Sequence, residues 1–194
     1  MVITAACTKK QDGTYNGIRV GVSKENFYKQ IDSLININKL AWQDNGKEKV
    51  AYSVQTIKEK PLYLYIVPVG REIIESLRID AMPSKIPITS LTGLRLMGDM
   101  GDLSGEPPYS EIDAFLLNQL MEKYGDNYQE DSTQVVVDSA PIISFDDKKA
   151  IVATLKTKLW NTGNYKITMN HYICEHSHKI SILYTSIIKN SNQF

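Results

Sequence analysis

Residues 150–188 read AIVATLKTKLWNTGNYKITMNHYICEHSHKISILYTSII, and this stretch decides the fold. It contains three runs rich in β-branched and aromatic residues, separated by the polar turns 161–164 and 175–178. In the first run, apolar residues alternate with Thr154, Lys156 and Lys158. Alternation with a period of two is typical of a strand in an antiparallel sheet with one solvated face. The C-terminal third is therefore predicted to form an antiparallel meander.

The preceding sequence adds helices and further strands. Apolar residues at helical spacing follow Ser23, a favourable N-cap, and a second helix is predicted to begin at Ser110 and to end at Gly125. Strands are predicted over 13–22, 50–57, 62–67 and 134–137, and a short helix over 70–79. The predicted fold class is α+β: an antiparallel β-sheet with two or three helices packed on one side.

Composition excludes several classes of protein. The 194 residues are 42% hydrophobic and 23% charged, with 22 basic and 22 acidic side chains. This balance excludes a broadly basic nucleic-acid-binding protein and a polybasic membrane-surface protein. The chain has no apolar run long enough to cross a bilayer, and it lacks the low-complexity tracts of a disordered protein.

The amino terminus resembles the end of a bacterial lipoprotein signal peptide. Thr4, Ala5 and Ala6 precede Cys7, after which the sequence turns polar. The resemblance implies that Cys7 becomes the lipid-bearing first residue of the mature protein. The sequence departs from the usual pattern at Thr4, where leucine is preferred. Residues 1–12 are then an anchor and tether, and residues 13–194 form a single globular domain. A frayed N-terminal tail is the alternative interpretation.

The predicted order of elements runs from an early strand and helix, through a central hairpin and a second helix, to a C-terminal meander. This order is similar to that of Mog1/PsbP/DcrB-like domains, a group that includes bacterial envelope lipoproteins and adaptors for secreted toxins. By analogy with these proteins, the similarity implies a non-enzymatic binding role. The fold by itself names no reaction, since one fold supports many functions.

A glycine-rich acidic segment precedes the second helix. It carries Asp99, Asp102 and Glu106, and it ends in two prolines followed by Tyr109. A long irregular loop on a rigid scaffold is a common place for a partner-binding surface, and Tyr109 would supply an aromatic anchor. Calcium binding and a simple solvated loop are the alternatives, although the spacing is not that of an EF-hand.

The histidines and the second cysteine lie close together in the sequence. Cys174, His176 and His178 offer sulfur and nitrogen ligands of the kind that zinc and copper prefer, with His171 three residues before the cysteine. The alternative is a polar hairpin turn whose side chains diverge. No cofactor is predicted.

No familiar catalytic motif occurs in the chain. The leading hypothesis is therefore a non-enzymatic, lipid-anchored protein of the bacterial envelope that faces the periplasm and binds another protein. Its most concrete form is an immunity or inhibitor protein against a secreted toxin, attached to the membrane through its lipid only. The alternatives are a lipoprotein that binds a small ligand or a metal, and an enzyme of unfamiliar type.

Overall fold

A computed structural model of the chain describes residues 14–44, 49–85, 107–137, 151–174 and 177–187. Within these ranges most of the backbone forms β-strands, accompanied by two α-helices and one turn of 3₁₀ helix, Tyr15–Gly17. The α+β class predicted from the sequence is confirmed, with a larger share of sheet than the pattern indicated.

The C-terminal meander is formed by four strands in succession: β7 (Gln129–Val137), β8 (Ile151–Asn161), β9 (Tyr165–Cys174) and β10 (Ser177–Ser186). Each pairs antiparallel with the next. The turn between β8 and β9 places Gly163 at a φ of +85°, a conformation that glycine adopts without steric cost. The strands follow from the alternation of apolar and polar residues, but the face predicted to be solvated does not, because Lys156 and Lys158 lie opposite His171 and the buried Met169.

The N-terminal part contributes the other half of the sheet. Its strands are β1 (Val22–Ser23), β2 (Ala41–Asp44), β3 (Lys49–Ile57), β4 (Lys60–Val69), β5 (Ile73–Ile74) and β6 (Ser76–Met82). The described residues form one sheet in the order β2-β3-β4-β6-β10-β9-β8-β7 and a separate β1-β5 pair. The two halves meet where β6 pairs antiparallel with β10, with Ile79 opposite Ile182.

The helices are α1 (Lys24–Asn36) and α2 (Tyr109–Tyr124). The Ser23 side chain caps α1 by accepting a hydrogen bond from the Asn26 amide at 3.3 Å. Helix α2 begins after Pro108, which occupies the N-cap position that the sequence pattern assigned to Ser110. At its other end, the indole of Trp160 on β8 donates to the Gly125 carbonyl at 2.9 Å, and this bond ties the helix to the sheet.

Both helices cover the same face of the sheet. Residues directly opposite each other in antiparallel strands project to one face, so Leu77, Ile167 and Tyr184 share it. The buried cluster that contains them also includes side chains from both helices: Phe27, Ile31, Ile112, Leu116 and Leu120. This face, called the helix face below, carries the core.

Two predictions of local structure were wrong. Residues 70–79 form β5 and the first part of β6 instead of a helix, because β6 pairs with β4 on one side and β10 on the other. The stretch 13–22, predicted as a strand, contains the 3₁₀ turn, and only its last residue belongs to β1. Neither described helix is long and apolar enough to span a membrane.

The core on the helix face makes a quantitative prediction. Ile31→Ala should lower the free energy of unfolding by about 2–5 kcal/mol, because it removes buried methyl groups and leaves a cavity. The matched control is Ile37→Ala at the end of the same helix, since Ile37 is 59% exposed and Ile31 is 0% exposed. Urea unfolding of both variants measures the difference, and equal effects would contradict the assigned core.

Candidate functional site

A hydrogen bond joins helix α2 to strand β9 through two titratable side chains. His171 Nδ1 lies 3.1 Å from Asp113 Oδ1. Asp113 follows the buried Ile112 in the first turns of α2, and His171 is paired with Ile180 on the helix face. The side chain of Asp113 therefore reaches from the side of α2 to His171, which is only 7% exposed.

A second histidine extends this contact toward the surface. His178 on β10 lies with Nδ1 3.1 Å from His171 Nε2, and its ring stacks on Tyr109 at a centroid distance of 5.1 Å and an interplanar angle of 19°. Asp113, His171, His178 and Tyr109, called the histidine cluster here, thus form a continuous path. The path runs from the helix flank through a buried imidazole to the exposed His178.

A buried lysine places a positive charge beside the cluster. Lys158 on β8 is 7% exposed, and its Nζ lies 3.6 Å from Asp113 Oδ2 and 3.9 Å from Glu130 Oε1. Burial raises the pKa of Asp113, but the hydrogen bond from His171 and the charge of Lys158 together outweigh it, so the pKa lies below its ordinary value. Asp113 is therefore an ionised carboxylate at neutral pH.

The donor and acceptor roles follow from that charge. Because the Asp113 carboxylate accepts, His171 must donate from Nδ1. In neutral His171 the Nε2 atom then accepts from Nδ1–H of His178. Nδ1 thus acts as the donor in both histidines, and the two bonds order the rings in one line from Asp113 to His178.

The structure brings together residues from two different sequence-predicted sites. Tyr109 was expected to anchor a protein partner and His178 to bind a metal, yet their rings are in contact. Cys174, in contrast, is paired with Ser177 and therefore lies on the opposite face of the sheet from His178. Cys174 and His178 do not converge as two metal ligands would.

The remaining predicted site residues are Cys7, Asp99, Asp102, Glu106 and His176, and they lie outside the described residues. Among the side chains that the structure does describe, no group of three or more His, Cys, Asp and Glu residues is placed to hold a metal ion.

Asp113 and Lys158 were not among the sequence-predicted site residues. A signal for Asp113 exists, because it lies four residues after Tyr109 and therefore on the same side of the helix. Lys158 gave no such signal. Its alternation with apolar residues indicated the solvated face, whereas the register places it on the helix face opposite Met169.

Comparison with known proteins yields no match to a family model, a curated protein or a solved structure.

The electrostatics of Asp113 predict how stability depends on pH. Asp113→Asn should lower the free energy of unfolding at pH 7 by about 1–3 kcal/mol, because Lys158 and His171 lose their anionic partner. Because the pKa of Asp113 is lower in the folded than in the unfolded protein, the ionised carboxylate stabilises the fold at pH values above about 3.8, the ordinary aspartate value. This stabilisation is lost as the pH falls through the pKa of the folded state. The difference between wild type and variant should therefore shrink once the pH falls below about 3.8.

Chemical denaturation of both proteins between pH 7 and pH 3 measures this difference. The matched control is Asp126→Asn, an exposed aspartate just after α2. A constant difference across the pH range, or an equal loss in both variants, would contradict the assigned ion pair.

Proposed function

We propose that this chain is a lipid-anchored protein of the bacterial envelope that binds another protein, with Tyr109 and His178 at the centre of the contact. The observation that carries the proposal is the stacking of the half-buried Tyr109 on the exposed His178. Tyrosine is enriched among the residues that dominate binding energy at protein interfaces.

The stacked pair is pre-organised for binding. His178 is held through His171 to Asp113, and Tyr109 is fixed at the first position of α2. Side chains already fixed in one conformation lose less entropy when a partner arrives, so more of the contact energy appears as affinity. This arrangement favours a docking surface over a loose surface patch.

The sequence next to the pair indicates the charge of the partner. Asp99, Asp102 and Glu106 precede Tyr109 by ten residues or fewer. Carboxylates close in sequence to an aromatic anchor favour a basic partner surface, and they raise the association rate at low salt. An immunity or inhibitor protein that covers a basic cleft of a secreted toxin fits this chemistry. The binding role requires no reaction at the site.

The partner experiment begins with a pull-down of the C-terminally tagged protein from native cells, followed by affinity measurement with the purified partner. Tyr109→Ala should weaken binding at least tenfold, since truncating an interface hot spot costs about 2 kcal/mol or more. The control is Tyr172→Ala: Tyr172 neighbours His171 on β9 but lies on the opposite face of the sheet.

Each outcome has a defined meaning. Loss of affinity in Tyr109→Ala and not in Tyr172→Ala supports the proposed surface. Equal affinity of wild type and Tyr109→Ala moves the interface elsewhere. The absence of any stoichiometric partner contradicts the protein-binding role. Replacing Asp99, Asp102 and Glu106 together should also slow association and reduce its dependence on salt.

The membrane anchor has its own test. Cys7→Ser should move the protein from the membrane fraction to the soluble fraction, because the lipid chains supply the affinity for the bilayer. Mass spectrometry of the wild-type protein should show an N-terminal peptide that begins at Cys7 and carries acyl groups. Cys174→Ser serves as the control, since Cys174 is buried in the sheet. An unchanged distribution of Cys7→Ser would contradict the anchor.

A further inference from the structure

A cavity of about 190 Å³ lies beside the C-terminal half of α2, away from the histidine cluster. Its apolar wall consists of Leu116, Leu120 and Ile182. Polar side chains, called the polar wall here, also line the cavity: Gln55, Gln119 and Lys123. A cavity that combines apolar side chains with convergent polar groups can hold a small molecule that carries polar substituents.

The polar wall is organised by a chain of hydrogen bonds. Gln119 Nε2 donates to Gln55 Oε1 at 2.9 Å, and Gln55 Nε2 donates to the Tyr15 hydroxyl at 3.4 Å. The Tyr15 hydroxyl lies 2.6 Å from Ser53 Oγ on β3. These bonds fix both amide groups, and within the described residues they leave Gln119 Oε1 without a hydrogen-bond partner. The wall therefore keeps a fixed acceptor for a ligand.

Lys123 brings a positive charge into this cavity. Its Nζ donates to the Thr14 carbonyl at 2.6 Å, and no carboxylate of the described residues lies within 4.0 Å of it. Burial lowers the pKa of this half-buried amine, while its position in the last turn of α2 stabilises the charged form. Lys123 Nζ also lies 5.1 Å from the centroid of the Tyr124 ring, but neither this ring nor the Thr14 carbonyl carries a neutralising charge. A partly buried cation in such surroundings favours an anionic ligand, since buried charges are normally paired.

The 3₁₀ turn at the edge of the cavity holds an unusual backbone conformation. Asn16, which lines the cavity, has φ +52° and ψ +22°, in the left-handed region. The turn is held on both sides, by Tyr15 against Ser53 and by Lys123 against the Thr14 carbonyl. Conformations of this kind persist where the surrounding structure fixes them, so the turn gives the cavity a rigid edge.

We propose that this cavity binds a small hydrophilic carboxylic acid, such as an acidic sugar or an acidic amino acid. Its carboxylate contacts Lys123, and its hydroxyl or amino groups contact Gln55 and Gln119. The volume of about 190 Å³ suits a molecule smaller than a drug-sized ligand, for which pockets measure about 300–1,000 Å³. This site is independent of the protein-binding surface proposed above, because it shares no residue with the histidine cluster.

Isothermal titration calorimetry at pH 7 tests the proposal with two matched pairs: D-glucuronate against D-glucose, and L-glutamate against L-glutamine. At least one acid should bind saturably with a Kd below about 1 mM and at least tenfold more tightly than its neutral counterpart. Which acid binds identifies the ligand as a sugar or an amino acid. Equal affinity within both pairs, or no saturable binding of either acid, overturns the proposal.

Variants then locate the site. Lys123→Met should weaken binding of the acid at least tenfold, whereas Lys39→Met, at an exposed position after α1, should not. Thermal unfolding verifies that each variant is folded. Gln119→Leu, which retains the lysine, should also weaken binding, and it decides the question if Lys123→Met does not fold. Unchanged affinity in a folded Lys123→Met or Gln119→Leu protein overturns the assignment.

Discussion

The pairing of β6 with β10 holds the molecule together, because it joins residues 76–82 to residues about 100 positions later in the chain. On one side of this pair lie the strands of the N-terminal half, and on the other the C-terminal meander. The continuous helix face on which α1 and α2 pack exists only when the two halves are joined. Both candidate sites depend on the same pairing, since each combines α2 with a side chain of β10.

Helix α2 relates the two sites to each other. Its first turns supply Tyr109 and Asp113 to the histidine cluster, and its later turns supply Gln119 and Lys123 to the cavity. The buried Ile112, Leu116 and Leu120 fix the helix on the sheet between them. The same apolar stripe that makes the helix recognisable in the sequence thus positions both sets of polar side chains.

Local pattern alone predicted most of the strands and both helices. The strands β8 and β9 followed from alternation, and α1 followed from its apolar stripe and its serine cap. Residues 70–79 were misread because Ile73, Ile74 and Leu77 suit a helix as well as a strand. What decides between the two is pairing with other strands, β1 for Ile73 and Ile74 and both β4 and β10 for Leu77. Local spacing carries no information about these partners.

The candidate sites were less accessible to prediction. Tyr109 and His178 were each singled out for separate reasons, but their contact depends on how α2 docks on the sheet. The short connection between β9 and β10 pairs Cys174 with Ser177 and so separates the cysteine from His178. The cavity beside Lys123 combines a turn, two strands and a helix, and no local motif marks such a combination.

The central position of β10 has a consequence for how the chain folds during synthesis. Until this strand is made, β6 and β9 each expose an unpaired edge, and the core beneath the helices is incomplete. Long-range pairing of this kind folds slowly, because the loop must close before the contacts form. The core of the described residues can therefore close only after residues 177–186 have left the ribosome.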